Sequence, residues 1–184
     1  MKYIYYLSLG ANLGDRLKTL TKAIEAIERL GRVAAVSGMY ETPPWGKLDQ
    51  PVFINCAAVV VAERPPLDFL HGCQAVEKAL GRVRHEHWGA RTIDIDILYA
   101  LEAADSICDT LTAESIRHLT GQDDCKTIAM QTGELRLPHP YMLARAFVMV
   151  PLAELAPELV LAGGRTARKI AEDLPDREAI VSLP

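Results

Sequence analysis

The chain has 184 residues, 49% of them hydrophobic and 24% charged, with a formal charge of −4 and a pI near 5.7. That length suits one compact domain with its own core, and the composition excludes wholesale disorder. The mildly acidic balance argues against general affinity for nucleic acid or an anionic membrane, while leaving room for a local basic patch that takes phosphate.

The run 3–9 (YIYYLSL) is β-branched, aromatic and apolar and stops at Gly10-Ala11-Asn12, which predicts a buried strand followed by a turn. Its apolar part is too short to cross a membrane and leads into a helical pattern, so neither signal peptide nor anchor is expected there. Leu17, Leu20, Ile24, Ile27 and Leu30 recur at helical spacing, with Asp15 as cap and Gly31 as stop. A second strand is expected over 32–39, then a loop over 41–51 (ETPPWGKLDQP), then a strand over 52–62. Pro65 and Pro66 open a second helix whose apolar face is Leu67, Leu70, Cys73, Val76 and Leu80, ended by Gly81.

The segment 82–91 (RVRHEHWGAR) is polar and glycine-containing, as a mobile loop is, and it feeds a strand over 92–99. The order βαββαβ predicts an α+β, ferredoxin-like fold in which two helices cover one face of an antiparallel sheet. Periodicity weakens over 101–126, apart from a short helix near 112–120 capped by Gly121. Beyond it, 136–140 enters a helical stretch, 151–155 begins another turn, and 165–174 is a closing helix, so the core carries C-terminal helical additions.

The four cysteines (Cys56, Cys73, Cys108, Cys125) lack C-x-x-C spacing, and Cys56 and Cys73 sit in apolar segments, which fits reduced thiols in a cytoplasmic protein.

Within RTIDIDIL (91–98), Asp94 and Asp96 share one strand face while Ile93, Ile95 and Ile97 take the other. The isoleucines bury against the helices; the aspartates stand roughly 7 Å apart on the open face, a separation that suits carboxylates bracketing one or two hard cations such as magnesium. A D-x-D pair alone fits solvated surface acids as well. Arg82, Arg84, His85, His87 and Arg91 precede it, however, and a metal-bound polyphosphate needs this mixture of anionic metal ligands and cationic phosphate ligands. Gly10 to Asp15 (GANLGD) lacks the spacing of either nucleotide-binding glycine motif and reads as a structural turn.

Four segments, YLSLGANLGDRL (6–17), YETPPWGKLDQPVFIN (40–55), GRVRHEHWGARTIDIDIL (81–98) and LPHPYMLARAFVMVPLAELAP (137–157), resemble the 6-hydroxymethyl-7,8-dihydropterin pyrophosphokinases of folate biosynthesis. The resemblance implies transfer of the diphosphoryl group of ATP to the hydroxymethyl oxygen of the pterin, giving AMP, with Asp94 and Asp96 holding two magnesium ions and Arg82 and Arg91 acting with them. It implies phosphate and nucleotide contacts at Gln74, Glu77, Arg84, His139 and Arg145. For the pterin it points to Thr42, Pro44, Phe53, Asn55 and Phe147: the two phenylalanines would sandwich the heterocycle, and Asn55 would read its amide and amino edge. Trp45 and Trp88 lie in the two loops, where a tryptophan can close over a ligand and exclude water. Nucleic acid, membrane and an obligate protein partner are not implied.

Asp96 and His139 are separated by more residues than is usual in this family, so the domain spanning 1–184 is expected to carry an insertion at roughly 101–126, read as a surface loop or small subdomain. Two rival functions remain. A ferredoxin-like RNA-binding module would need exposed aromatics and a basic face on the central strands. A nucleotidyltransferase would use the same acids and arginines and is separated by its products.

Overall fold

The computed structural model describes residues 2–46, 48–82, 92–122 and 125–184. The elements in chain order begin with strand β1 (Lys2–Ala11), helix α1 (Arg16–Ile27), β2 (Arg32–Val36), β3 (Tyr40–Thr42), β4 (Phe53–Ala62), α2 (Pro66–Ala79) and β5 (Asp94–Ala103). There follow α3 (Asp105–Thr110), α4 (Ala113–His118), β6 (Cys125–Thr127), β7 (Met130–Gln131), β8 (Arg136–Leu137), α5 (Ala146–Leu155), α6 (Ala167–Asp173) and β9 (Val181–Ser182).

One sheet runs β6-β5-β1-β4-β3-β9, with β2 also paired to β4, and its ladders are antiparallel. Counting β2 and β3 as one interrupted strand, the order is fourth, first, third, second, the ferredoxin-like arrangement expected of βαββαβ. The interruption was not legible: β3 starts at Tyr40 and runs into the first two residues of the stretch expected to be loop, because β4 is long enough to pair with two separate segments.

Helices α1 and α2 bury Leu20, Ala23, Ile27, Phe69, Leu70 and Cys73 against one sheet face, which supplies Tyr5, Leu7, Leu9, Ile95 and Ile97, with Ile93 just before β5 in the same core. Asp15 caps α1 by accepting from the Lys18 N–H (3.1 Å). Leu17, expected on the apolar face, is 47% exposed instead.

The opposite face is not open along its length. Tyr6, Val59, Leu98 and Leu101 lie on it and are buried beneath α5 and α6, with Cys108 of α3 and Ile116 of α4 in the same core. Helix α5 runs through Pro151 without stopping, so the turn expected over 151–155 is the end of a longer helix. The segment 101–126 divides into the end of β5, two short helices and the β6 edge, and Thr112 caps α4 in a reciprocal pair with Ser115. Arg32 fastens α3 to β2, its guanidinium donating to the carbonyls of Cys108 (2.6 Å) and Leu111 (3.0 Å). Among the described residues, the end of the second face that carries Asp94 and Asp96 opens into a cavity. All four cysteines are free thiols, and no helix among the described residues is long and apolar enough to cross a membrane.

Candidate active site

The cavity at this accessible end is built on four strands side by side. Asn55 of β4 and Asp94 of β5 both lie opposite Gly10 of β1, and Asp96 lies opposite Ser8. Register therefore brings the amide and both carboxylates to one face. A side chain at Gly10 has no room: a Cβ there would stand 2.3 Å from Asn55 Oδ1. The glycine serves close approach, and it belongs to the cavity lining together with Ser8, Pro43 and Gln50, residues that sequence reasoning did not select.

Thr42 sits on β3 two residues beyond Tyr40, whose partner on β4 is Asn55. The Asn55 amide donates to Thr42 Oγ1 at 2.6 Å, and both side chains are buried. Phe53 and Phe147 face the same cavity from β4 and α5. Pro43, rather than the expected Pro44, reaches the lining, since neighbours in extended chain point opposite ways. Trp45, 40% exposed, closes one side, and the Arg145 guanidinium lies 4.5 Å from its ring centroid, 5.2 Å from Tyr141 and 5.7 Å from Phe147. These cation–π contacts hold a nearly buried cation in the cavity wall.

Burying polar groups costs free energy. Among the described residues the buried polar side chains are Ser8, Asn12, Ser37, Thr42, Asn55, Glu77 and Arg145, and four of these line this one cavity.

Arg82 is delivered to the acids by the end of α2. Gly81, at φ +85°, lets the chain reverse, with Gly81 N–H donating to Lys78 O (3.1 Å) and Arg82 N–H to Glu77 O (3.0 Å). This Schellman turn lays Arg82 back against Glu77. Its guanidinium contacts the Glu77 carboxylate and reaches Asp94 Oδ1 at 2.8 Å. Burial works against the Arg82 charge, but Asp94 and Glu77 outweigh it and hold the guanidinium more firmly protonated. Glu77, 4% exposed, also accepts the Ile95 N–H at 2.7 Å; burial pushes its carboxyl up, against the pull of Arg82 and that N–H. Its carboxylate is thus engaged with protein. Gln74, one turn earlier on α2, is exposed.

His139 is half-buried, tied to β5 by its backbone N–H donating to Leu98 O (2.8 Å), and its Nδ1 accepts from the Tyr141 N–H (3.2 Å). Burial first, and Arg145 second, lower its pKa to about 4. The expected site residues Arg84, Trp88 and Arg91, with His85 and His87, lie outside the described residues.

The family model described as "7,8-dihydro-6-hydroxymethylpterin-pyrophosphokinase (HPPK)" matches residues 6–157. The chain belongs to this family. A 2-amino-4-hydroxy-6-hydroxymethyldihydropteridine pyrophosphokinase of Methylorubrum extorquens is 41% identical over 166 residues, 89% of each chain. The enzyme of that name from Pseudomonas aeruginosa is 38% identical over 181 residues, 97% of this chain and 96% of its own. Among solved structures, a Plasmodium falciparum HPPK-DHPS triple mutant matches with a TM-score of 0.62 at 19% identity, over 94% of this chain. This pyrophosphokinase-family chain spans only 44% of that longer protein, and the likeness shows the shared fold.

Within the family frame, the structure gathers Thr42, Trp45, Phe53, Asn55, Asp94, Asp96, Arg145 and Phe147 around one cavity, sets Arg82 beside Asp94, and leaves Gln74 on the outer surface of α2.

Proposed function

We propose that the chain, as a single pyrophosphokinase domain, transfers the diphosphoryl group of ATP to the hydroxymethyl oxygen of 6-hydroxymethyl-7,8-dihydropterin, a step of tetrahydrofolate biosynthesis. The observation that carries this reading is the junction, on one sheet face, of an aromatic and amide cradle with a pair of carboxylates and arginine. A flat heterocycle with an amide edge fits between Phe53 and Phe147 with its edge on Asn55, whose orientation Thr42 fixes. Its hydroxymethyl group then points across the strands, over Gly10 and Ser8, toward Asp94 and Asp96.

The two aspartates fit magnesium. They are oxygen donors on one strand face, and among the described residues no third His, Cys, Asp or Glu completes a protein cage. Magnesium favours such a site, with one or two carboxylates and the remaining positions left to water and phosphate. Two ions bound there would neutralise the polyphosphate and orient it for in-line attack.

The chain's own residues do the rest. In the transfer the pterin oxygen bonds to the β-phosphorus, the bond from that phosphorus to the oxygen bridging to the α-phosphate breaks, the hydroxyl proton is released, and AMP leaves. Arg82, held by Glu77, presents a fixed cation where charge passes to the leaving group. Arg145 supplies a second cation from the cavity wall, and Gln74, Arg84, Arg91 and His139 complete the nucleotide side. Trp45 and Trp88 shield the reacting groups from water.

Supplying ATP, magnesium and the pterin and separating the products tests the proposal. AMP and a diphosphorylated pterin are expected. ADP, or free pyrophosphate with an adenylylated product, would overturn it.

A further inference from the structure

Strand β3 is only three residues long, and it carries Thr42, the partner of Asn55. Between β2 and β3 the chain leaves its ladder at Ser37, whose hydroxyl takes the Ala57 N–H (2.9 Å), and the next donor, the Gly38 N–H, has no strand partner. Glu154 of α5 takes it with both carboxylate oxygens, at 3.0 and 3.1 Å, and the same carboxylate accepts the Tyr40 hydroxyl at 2.6 Å. The start of β3 is thereby tied to the C-terminal end of α5.

At the other end of α5 stands Phe147, seven residues earlier and hence on the same helix face, about 10 Å along the axis. On β3, Thr42 is two residues beyond Tyr40 on the same strand face, about 7 Å away. Glu154–Tyr40 and Phe147–Thr42 are therefore two rungs between the same helix and strand. The second rung belongs to the cavity, since Thr42 and Phe147 both line it. Behind the helix, Arg117 of α4 donates to the Glu154 carbonyl, so the 101–126 segment braces this joint from outside.

We infer that Glu154 is a positioning residue for the pterin half of the site: by locking β3 to α5 it sets the gap between Thr42 with Asn55 and Phe147, without touching either substrate. This inference rests on the proposed function. It separates pterin binding from nucleotide binding, because Arg82, Asp94 and Asp96 are supported by α2 and β5, away from the joint, and Arg145, at the N-terminal end of α5, is held by its own contacts with the Trp45 and Tyr141 rings.

The test is steady-state kinetics on the full chain with each substrate varied in turn. Glu154→Ala should raise the KM for the pterin about fivefold, a modest effect because the carboxylate is solvent-accessible, and leave kcat and the KM for ATP at their wild-type values. Glu154→Gln keeps an acceptor oxygen and should recover most of the loss. Tyr40→Phe removes one contact without disturbing the fold and should raise the pterin KM about threefold, which decides the matter if the alanine variant does not fold. An unchanged pterin KM in Tyr40→Phe and Glu154→Ala would overturn the inference, as would alanine and glutamine variants that lose kcat and both KM values alike along with thermal stability. A wild-type chain that releases no AMP would instead sink the proposed function, and the inference with it.

Discussion

Replacing Gly10 with alanine isolates the closest steric constraint in the cavity. The added Cβ would stand 2.3 Å from Asn55 Oδ1 and 3.4 Å from Asn55 Cγ, while the next neighbour, Phe53 Cδ1, is at an ordinary 3.7 Å. Gly10 does not occupy the left-handed region, so the backbone itself accepts alanine and the strain falls on Asn55. Asn55 must rotate away, which costs about 1 kcal/mol for an off-rotamer side chain. It also breaks the buried 2.6 Å hydrogen bond to Thr42, at about 1–3 kcal/mol. The sum is about 2–4 kcal/mol of folding stability, measured by urea denaturation, and the pterin KM should rise because the displaced amide no longer meets the ligand edge. The decisive measurement is a double-mutant cycle with Asn55→Ala. With the amide gone the Cβ has room, and Gly10→Ala should then cost no more than about 0.5 kcal/mol. Equal costs in the two backgrounds would refute the steric argument.

Asp96→Asn should abolish AMP formation while leaving the circular dichroism spectrum and urea midpoint near wild type, since Asp96 faces the cavity rather than the core; retained turnover would overturn the magnesium-holding role proposed for it. His139 should titrate by NMR with a midpoint of about 4 rather than 6.5, and Arg145→Ala should raise that midpoint. Its folded pKa is lowered, so between 4 and 6.5 the unfolded chain binds more protons. Stability should therefore fall as pH drops through that window and stay flat above it, and His139→Gln should remove that component.

Much of the architecture was legible because it follows from period and punctuation. Leu20 and Ile27 mark the buried stripe of α1, Pro66 and Gly81 bracket α2, and the isoleucines of β5 pack where alternation puts them. Alternation fails beyond Ile97. A bulge between the Leu7–Ile97 and Tyr6–Tyr99 pairs leaves Leu98 extra, so Leu98 and Tyr99 share a core and Ala100, not Leu101, faces α1 and α2. A bulge is a property of two strands in register, which neither strand's sequence shows alone. The β7–β8 hairpin escaped for a similar reason, its strands being two residues each.

The site divides along the same line. Asp94, Asp96 and Arg82 announce themselves by charge in an apolar context. Ser8 and Gly10 do not, because their contribution is small size at a position that only register places between Asn55 and the aspartates. One signal was present: β1 is otherwise large and apolar, and a strand that gives up side chains at Ser8 and Gly10 while keeping Leu7 and Leu9 is lowering one face only.

The two aspartates also explain why Arg82 must be anchored from behind. A guanidinium free to pair fully with Asp94 would compete with a cation for the same oxygens, and a carboxylate pair left without any cation would repel both itself and an incoming polyphosphate. The Schellman turn at Gly81 and the buried Glu77 carboxylate resolve this by fixing the base of the guanidinium against α2, so that only one of its edges reaches Asp94. The Ile95 N–H and Arg82 both meet the Glu77 carboxyl group, which ties the arginine to the backbone of the strand that carries both acids. Cation and acids therefore keep a fixed relation. That preorganisation is the condition for electrostatic stabilisation of a phosphoryl transfer in a site that must also admit and release substrate.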